Sequence, residues 1–308
     1  MLDIRSTGQL LQAGYTNAEL AQLAKSGELD RIRRGAYGLS VDGSLDAVER
    51  QRRLVRATVP YLASDAIVSH ASAAALHGLD LYATRLDRVQ VTRPERSGGK
   101  ARPRTNVHAA PLDDSEVVEI DGIALTTVAR TVADLARALP FPSAVVTGDS
   151  ALRNGLHLEE LRACLQGMRR WPGVVRARRV AMFIDGRSES AGESRSRASF
   201  VESAIAPPEL QFEIHNDRGN LVGRVDFAWV DMRTVGEFDG KIKYGRLLAA
   251  ADGRDAVYQE KLREDALRDL GWQVVRWTWS DLDRPTDIAT RLRRAFTRAG
   301  AGASMSAP

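Results

Sequence analysis

A mixed α/β chain of three successive folded segments is predicted, and three observations predict it. Hydrophobic residues make up 44% of the 308 residues and charged residues 27%, the proportions of a folded rather than a disordered chain. That length exceeds what one small core serves. Helical and two-residue hydrophobic periods alternate along it, with breaks read near residues 42 and 186. The segments so read are 1–42, 43–186 and 187–300, with 301–308 as a disordered tail.

Several classes are excluded at the outset. No run approaches the roughly 18 consecutive apolar residues of a membrane span. The first residues, MLDIRSTGQLLQAG, lack the basic start and apolar core of a signal peptide. Cys164 is the single cysteine, which rules out an intrachain disulfide and a cysteine-based zinc site. A reducing, cytoplasmic setting is expected. Net charge is +4, carried by 39 arginines and five lysines against 40 acids. Arginine suits phosphate and base-edge contacts, but a GC-rich coding sequence gives the same count, so position matters more than number.

In the first segment, residues 6–13 predict a short helix ending at Gly14. Thr16-Asn17-Ala18-Glu19 has capping-box spacing. The helix it opens places Leu20, Leu23 and Ala24 on one face and stops at Gly27. LDRIRRGAYGL then carries a turn at Arg34-Gly35 between two short extended runs. Helix, turn, helix and basic hairpin is the order of a winged helix, whose second helix enters the major groove while the hairpin touches phosphates. On that reading Asn17, Gln22 and Lys25 are candidate groove contacts, and Arg31, Arg33 and Arg34 candidate backbone contacts. A solvated cap has the same composition, so spacing alone leaves both open.

The middle segment reads as α+β. An amphipathic helix over 44–62, entered through Ser44, comes first. AIVSHASAAALHGL predicts a short strand and a small-residue helix with His70 near its start. VQVTRP predicts a strand ended by Pro94, and NVHAAPL and VVEIDGIALTT predict further strands, with Asp121-Gly122 as a hairpin turn. TTVARTVADLARAL predicts a helix capped by Thr126 or Thr127, and helices follow over 143–153, 157–168 and 173–184. The Gly-, Pro- and Arg-rich loop Arg96–Arg104 either lies along DNA or is solvated. His70, His77 and His108 have no carboxylate or cysteine at ligand spacing, which predicts core or capping roles.

GELDRIRRGAY, SHASAAALHGL, VQVTRP and GIALTTVARTVADLA, in that order, resemble the AbiEi-type antitoxins of type IV toxin–antitoxin systems over roughly the first half of the chain. The resemblance implies a winged-helix repressor that binds its own promoter and is encoded beside a nucleotidyltransferase-like toxin.

The polar stretch DGRSESAGESRSR precedes the last segment. A helix over 193–204 is predicted with Phe200, Val201 and Ala204 inward, then strands LQFEIHN, LVGRVDFAWV and TVGEFDGKIKY. A helix over 254–270 ending at Gly271 and a strand WQVVRWTW complete an α/β core. Phe227/Trp229 and Val275/Trp277/Trp279 alternate as inward faces do, so Trp229, Trp272, Trp277 and Trp279 are expected in the core rather than stacked on bases. On an extended third strand Glu237, Asp239 and Lys241 share one face. Asp226 on the neighbouring strand and Glu193 at the helix start would complete a cluster. Carboxylates so grouped suit a hard divalent cation such as Mg²⁺, held by Asp226 and Glu237, with a lysine to position an attacking water. Arg263 and Arg268 are either phosphate contacts or part of a solvated helix face.

GRVDFAW, VGEFDGK and EKLREDALRDLGWQVVRW, over 190–281, resemble the PD-(D/E)XK nuclease fold, in particular its small Vsr-like restriction-endonuclease domains. The resemblance implies that Asp226 takes the first acidic position, Glu237 the second, and Glu193 the helix acid. It departs where Asp239 replaces the lysine two places after Glu237, which leaves Lys241 or Lys261 to substitute.

The expected function is a DNA-binding repressor or antitoxin needing no cofactor, with double-stranded DNA and the toxin as partners. The alternatives are a Mg²⁺-dependent endonuclease targeted by the winged helix, and a non-catalytic scaffold whose middle segment binds a partner.

Overall fold

The computed structural model of the chain describes residues 4–41, 43, 45–94, 104–240 and 253–305. The chain divides into two compact units, Met1–Leu139 with Leu156–Met182, and Pro140–Gly155 with Phe183–Pro308.

In the first unit, strand β1 (Ile4–Ser6) leads into helices α1 (Thr7–Gln12) and α2 (Asn17–Ser26), then the hairpin of β2 (Leu29–Arg33) and β3 (Ala36–Leu39). Both helices open on capping boxes, Ser6 with Gln9 and Thr16 with Glu19. β1 is absent from the sequence-based expectation. It pairs antiparallel with β3, giving the order β1-β3-β2. Ser6 therefore ends a strand and caps a helix at once. At the hairpin turn, Gly35 takes a φ of 87°, a conformation that a Cβ would strain.

Helix α3 (Ala47–Thr58) is entered through Asp46, whose carboxylate accepts from the Glu49 amide, and gives way to a 3₁₀ turn at Val59–Tyr61. The expected entry at Ser44 lies outside the described residues. Next come β4 (Ile67–Val68), α4 (His70–Leu76), β5 (Val89–Arg93), β6 (Thr105–Ala109), β7 (Val117–Ile120) and β8 (Ile123–Thr126). Their strands form a mixed sheet in the order β6-β5-β4-β8-β7. Asp121 and Gly122 both have positive φ, as a two-residue hairpin turn requires. Val68, Val89, Val91, Ile123 and Leu125 of the sheet pack with Leu54 and Val55 of α3. Helix α5 (Val128–Ala138) is capped by Thr127. After α6 (Phe141–Arg153), which belongs to the second unit, α7 (Leu158–Gly167) and α8 (Val174–Phe183) follow.

In the second unit, α6 joins α9 (Ala191–Glu202) through a buried ion pair, Arg197 Nη1 to Asp149 Oδ2 at 2.7 Å. Strands β9 (Glu209–His215), β10 (Leu221–Trp229), β11 (Thr234–Asp239) and β12 (Gln273–Thr278) lie in the order β12-β11-β10-β9, with only β11 and β12 parallel. The helices here are α10 (Gly253–Asp269), α11 (Trp279–Leu282) and α12 (Pro285–Met305). One sheet face packs Phe227, Trp229, Val275 and Trp277 against Phe200 of α9 and Ile288 and Leu292 of α12. The other packs Val225, Val235 and Trp272 against Leu267 of α10. A Cβ at Gly236 would lie 2.5 Å from the Trp277 ring, so that strand position admits only glycine.

Three expectations are corrected. Val201 is 42% exposed and Ala204 lies exposed beyond the end of α9, because the inward face is set by Ala198 and Phe200. Trp279 is half-buried, since the chain leaves the β12 alternation at Thr278 to begin α11, whereas Trp229, Trp272 and Trp277 are buried. Helix α12 was not anticipated; Pro285 in its first turn and the spacing of Ile288, Leu292 and Ala295 were its signal. Its backbone runs helical to Met305, where a tail is expected. Among the described residues no helix is long and apolar enough to cross a membrane.

Trp277 lies at the centre of this core, with its ring N–H donated to Ser196 Oγ at 2.8 Å. Trp277→Ala is expected to cost about 3–5 kcal/mol, read as a lower urea midpoint for the second unit by far-ultraviolet circular dichroism.

Candidate nucleic-acid surface and acidic cleft

The helical period of α2 separates two faces. Leu20 is buried and Leu23 half-buried on one; Gln22 and Lys25 are exposed on the other, and Asn17, three residues before Leu20, is exposed at the helix start. Arg31 and Arg34 of the hairpin are exposed as well. Arg33 differs. It is half-buried, with its guanidinium 4.8 Å from the centre of the Tyr61 ring, so two rather than three hairpin arginines extend into solvent.

The hairpin is held from behind by Arg53 of α3, which is 3% exposed. Its Nη1 reaches Asp30 Oδ2 at 2.6 Å and its Nη2 donates to the Leu39 carbonyl at 2.7 Å, tying both strands to one helix. A Cβ at Gly38 would meet that Nη2 at 2.6 Å, so the glycine makes the clamp possible. Arg104 Nη1 donates to the Ile32 carbonyl at 2.7 Å, a role for that end of the basic loop that sequence does not reveal. Residues 96–103 of the loop lie outside the described residues.

The histidines are structural partners. His70 and His108 stack with ring centres 3.7 Å apart, and His77 Nε2 lies 2.7 Å from the Thr126 carbonyl. Burial holds all three below the ordinary histidine value, so they are neutral at neutral pH.

In the second unit, Glu193, Asp226, Glu237 and Asp239 line one cleft of about 400 Å³ with Arg224, Arg263 and Arg276. Four of the five expected catalytic residues are thus brought together. The fifth, Lys241, lies outside the described residues. Lys261 is exposed on α10 and is not part of the cleft lining. Arg263 faces inward, donating to Glu237 Oε1 at 2.5 Å, while Arg276 Nε donates to Glu237 Oε2 at 2.7 Å. Both also pair with Glu260. Arg268 pairs with Glu264 rather than facing the cleft. Arg276 was missed because only the parallel register of β11 and β12 sets it opposite Glu237.

Asp226 Oδ2 accepts the Phe238 N–H at 2.7 Å. Burial, reinforced by the charge of Glu193, pushes its carboxyl up to about 7. Burial also raises Glu193, whose oxygens accept from the Glu189 N–H, the Ser190 hydroxyl and the Gln211 amide. Gln211 reaches it from a backbone φ of 53°, a left-handed position within β9 that no sequence pattern announced.

These residues do not fit Mg²⁺ as they stand. Both oxygens of Glu237 are engaged by arginines, and those of Glu193 by hydrogen-bond donors. Among the described residues no group of three or more histidine, cysteine or carboxylate side chains converges at ligand spacing. What the cleft offers is five carboxylates, Glu260 included, partly offset by three guanidinium groups.

No family model matches the chain. Two uncharacterized proteins of Mycobacterium tuberculosis, MT2308 of strain CDC 1551 / Oshkosh and Rv2248 of strain H37Rv, are each 30% identical to it over 286 residues, covering 92% of this chain and 98% of theirs. The crystal structure of the RV2827C protein from the same species aligns with 69% of this chain and 83% of its own, at 14% identity and a TM-score of 0.38.

The raised Asp226 carboxyl fixes a sign. The folded state holds its proton above the ordinary value, so stability falls as pH rises from about 4 to 7 and levels off beyond. Asp226→Asn keeps an acceptor for Phe238 and removes the charge. The variant is expected to melt higher than the parent at about pH 8, with the gap closing toward pH 4; a gap constant with pH would contradict the assignment.

Proposed function

We propose a function for this chain, which belongs to the family of the M. tuberculosis proteins MT2308 and Rv2248: it is a double-stranded-DNA-binding regulator of the AbiEi antitoxin type. One observation carries the reading. The hairpin held by Arg53 leaves Arg31 and Arg34 exposed, next in sequence to a helix that bears Gln22 and Lys25 on its outer face and an exposed Asn17 at its start. Two helices set between β1 and the β2-β3 hairpin, in an antiparallel sheet of order β1-β3-β2, support a winged helix. In such a module α2 reads base edges, and the hairpin arginines neutralise phosphates and set the register. The site recognised would be the protein's own promoter. Its partner would be a nucleotidyltransferase-like toxin, in the cytoplasm, with no cofactor required.

A second reading, a metal-dependent endonuclease of the PD-(D/E)XK type, has the meeting of Glu193, Asp226, Glu237 and Asp239 in one cleft in its favour. Against it stand the arginines already bound to Glu237. Magnesium would have to compete with both.

For the first reading, the full chain is expected to shift a duplex from upstream of its own gene in preference to a scrambled duplex. Arg31→Ala with Arg34→Ala is expected to lower the slope of log affinity against log salt by about 2, one for each phosphate no longer neutralised. Equal affinity for every duplex, or none, would remove the regulator. For the second, nicking of plasmid DNA that requires Mg²⁺ and disappears in Asp226→Ala would restore the enzyme.

A further inference from the structure

Residues 161–184 contain six arginines and no acidic residue. Helix α8 lies within that stretch, and it turns Val174, Ala177, Val180 and Ala181 into the first unit. Its outward face is unusual in carrying Val175, 76% exposed, and Met182, 79% exposed, the two most exposed large apolar side chains among the described residues. They are seven apart, hence on one helical stripe. Arg178 lies on one side of the stripe, and Arg179 and Arg176 on the other, all exposed. An apolar centre with an arginine rim is how a protein interface is built, methionine and arginine being enriched there. A surface made for phosphates alone gains nothing from displaying valine and methionine to water.

A matching face exists on α10. Tyr258 and Leu262, 59% and 45% exposed, are four apart, and Asp265 and Asp269 continue the same stripe toward the helix end. Neither aspartate has an ion pair among those described. Exposed Lys261 borders this stripe, and the two aspartates outnumber it; opposite net charge and shared apolar content make the two stripes complementary.

We propose that α8 of one copy of this chain docks on α10 of a second copy, Val175 and Met182 meeting Tyr258 and Leu262 while the arginines of α8 meet Asp265 and Asp269. The contact is between chains and joins two different patches, and made reciprocally about a twofold axis it closes a dimer. Few side chains take part, so the association is weak and salt-sensitive. It stands apart from the winged-helix reading, because neither helix belongs to the head that carries Asn17, Gln22, Lys25, Arg31 and Arg34.

Sedimentation velocity of the full chain is expected to show concentration-dependent association over about 1–100 µM at low salt, weakened as salt is raised. Arg178→Glu with Arg179→Glu is expected to weaken it by about tenfold or more, and so is Asp265→Arg with Asp269→Arg. Mixing these two charge-reversed proteins restores it, because each supplies the face that the other now needs. Val175→Ser with Met182→Ser weakens association without altering charge, a control against general electrostatic stickiness. All the substituted side chains are exposed, and circular dichroism checks that the folds match. A wild-type chain that stays monomeric throughout, or a mixture that fails to reassociate, overturns the proposal. Loss of duplex affinity in Arg178→Glu with Arg179→Glu, with no change in mass, overturns it too and gives the face to nucleic acid.

Discussion

A single buried guanidinium sets the geometry of the head. Arg53 reaches out of α3 and takes one bond to the Asp30 carboxylate and another to the Leu39 carbonyl, one on each strand of the hairpin. Neither strand alone is long enough to be stable, and a two-stranded ribbon is marginal in water. β1 adds a third strand on the far side of β3, and Arg53 adds a charged anchor. A buried arginine deprived of its carboxylate partner is strongly unfavourable, so removing Asp30 alone would leave the Arg53 charge stranded. Gly38 belongs to the same unit of design, since any side chain there would displace the guanidinium.

In the second unit the same principle of paired charge governs the cleft, but with a different balance. Glu237 is neutralised twice, by Arg263 and Arg276, and those arginines are shared with Glu260. Among the described residues Asp226 and Glu193 have no such cations, and burial raises both. One wall of the cleft is therefore a closed network of ion pairs, while the other holds protons more readily than exposed carboxylates do. Anything entering must exchange contacts with the first wall and tolerate the second.

Much of this was legible from residue order. Capping boxes, glycine stops and the Asp121-Gly122 turn are local signals, and the structure follows them at Thr16, Gly27 and Gly122. The alternation in Phe227/Trp229 and Val275/Trp277 marked the core faces, and two-residue spacing put Glu237 and Asp239 in one cleft. What escaped was decided by pairing between distant segments. β1 has three residues and exists only because β3 lies beside it. Arg276 sits opposite Glu237 by the register of parallel strands 39 positions apart. Arg33 looked like its neighbours until Tyr61, outside the hairpin, drew its side chain onto a ring. Helix α12 had a readable period but no anticipated partner, and its partner turned out to be the aromatic face of the sheet.

Tyr61 has a second effect. Its hydroxyl donates to the carbonyl of Gly35 at 3.1 Å while its ring carries Arg33. The tip of a short hairpin would otherwise sample many conformations, and a ligand would have to freeze it at an entropic penalty. With that tip already pinned through backbone and side chain, the ordering has been done during folding. The two outward arginines thereby flank a turn tied at its backbone and at Arg33, and the aromatic beside them acts as its brace.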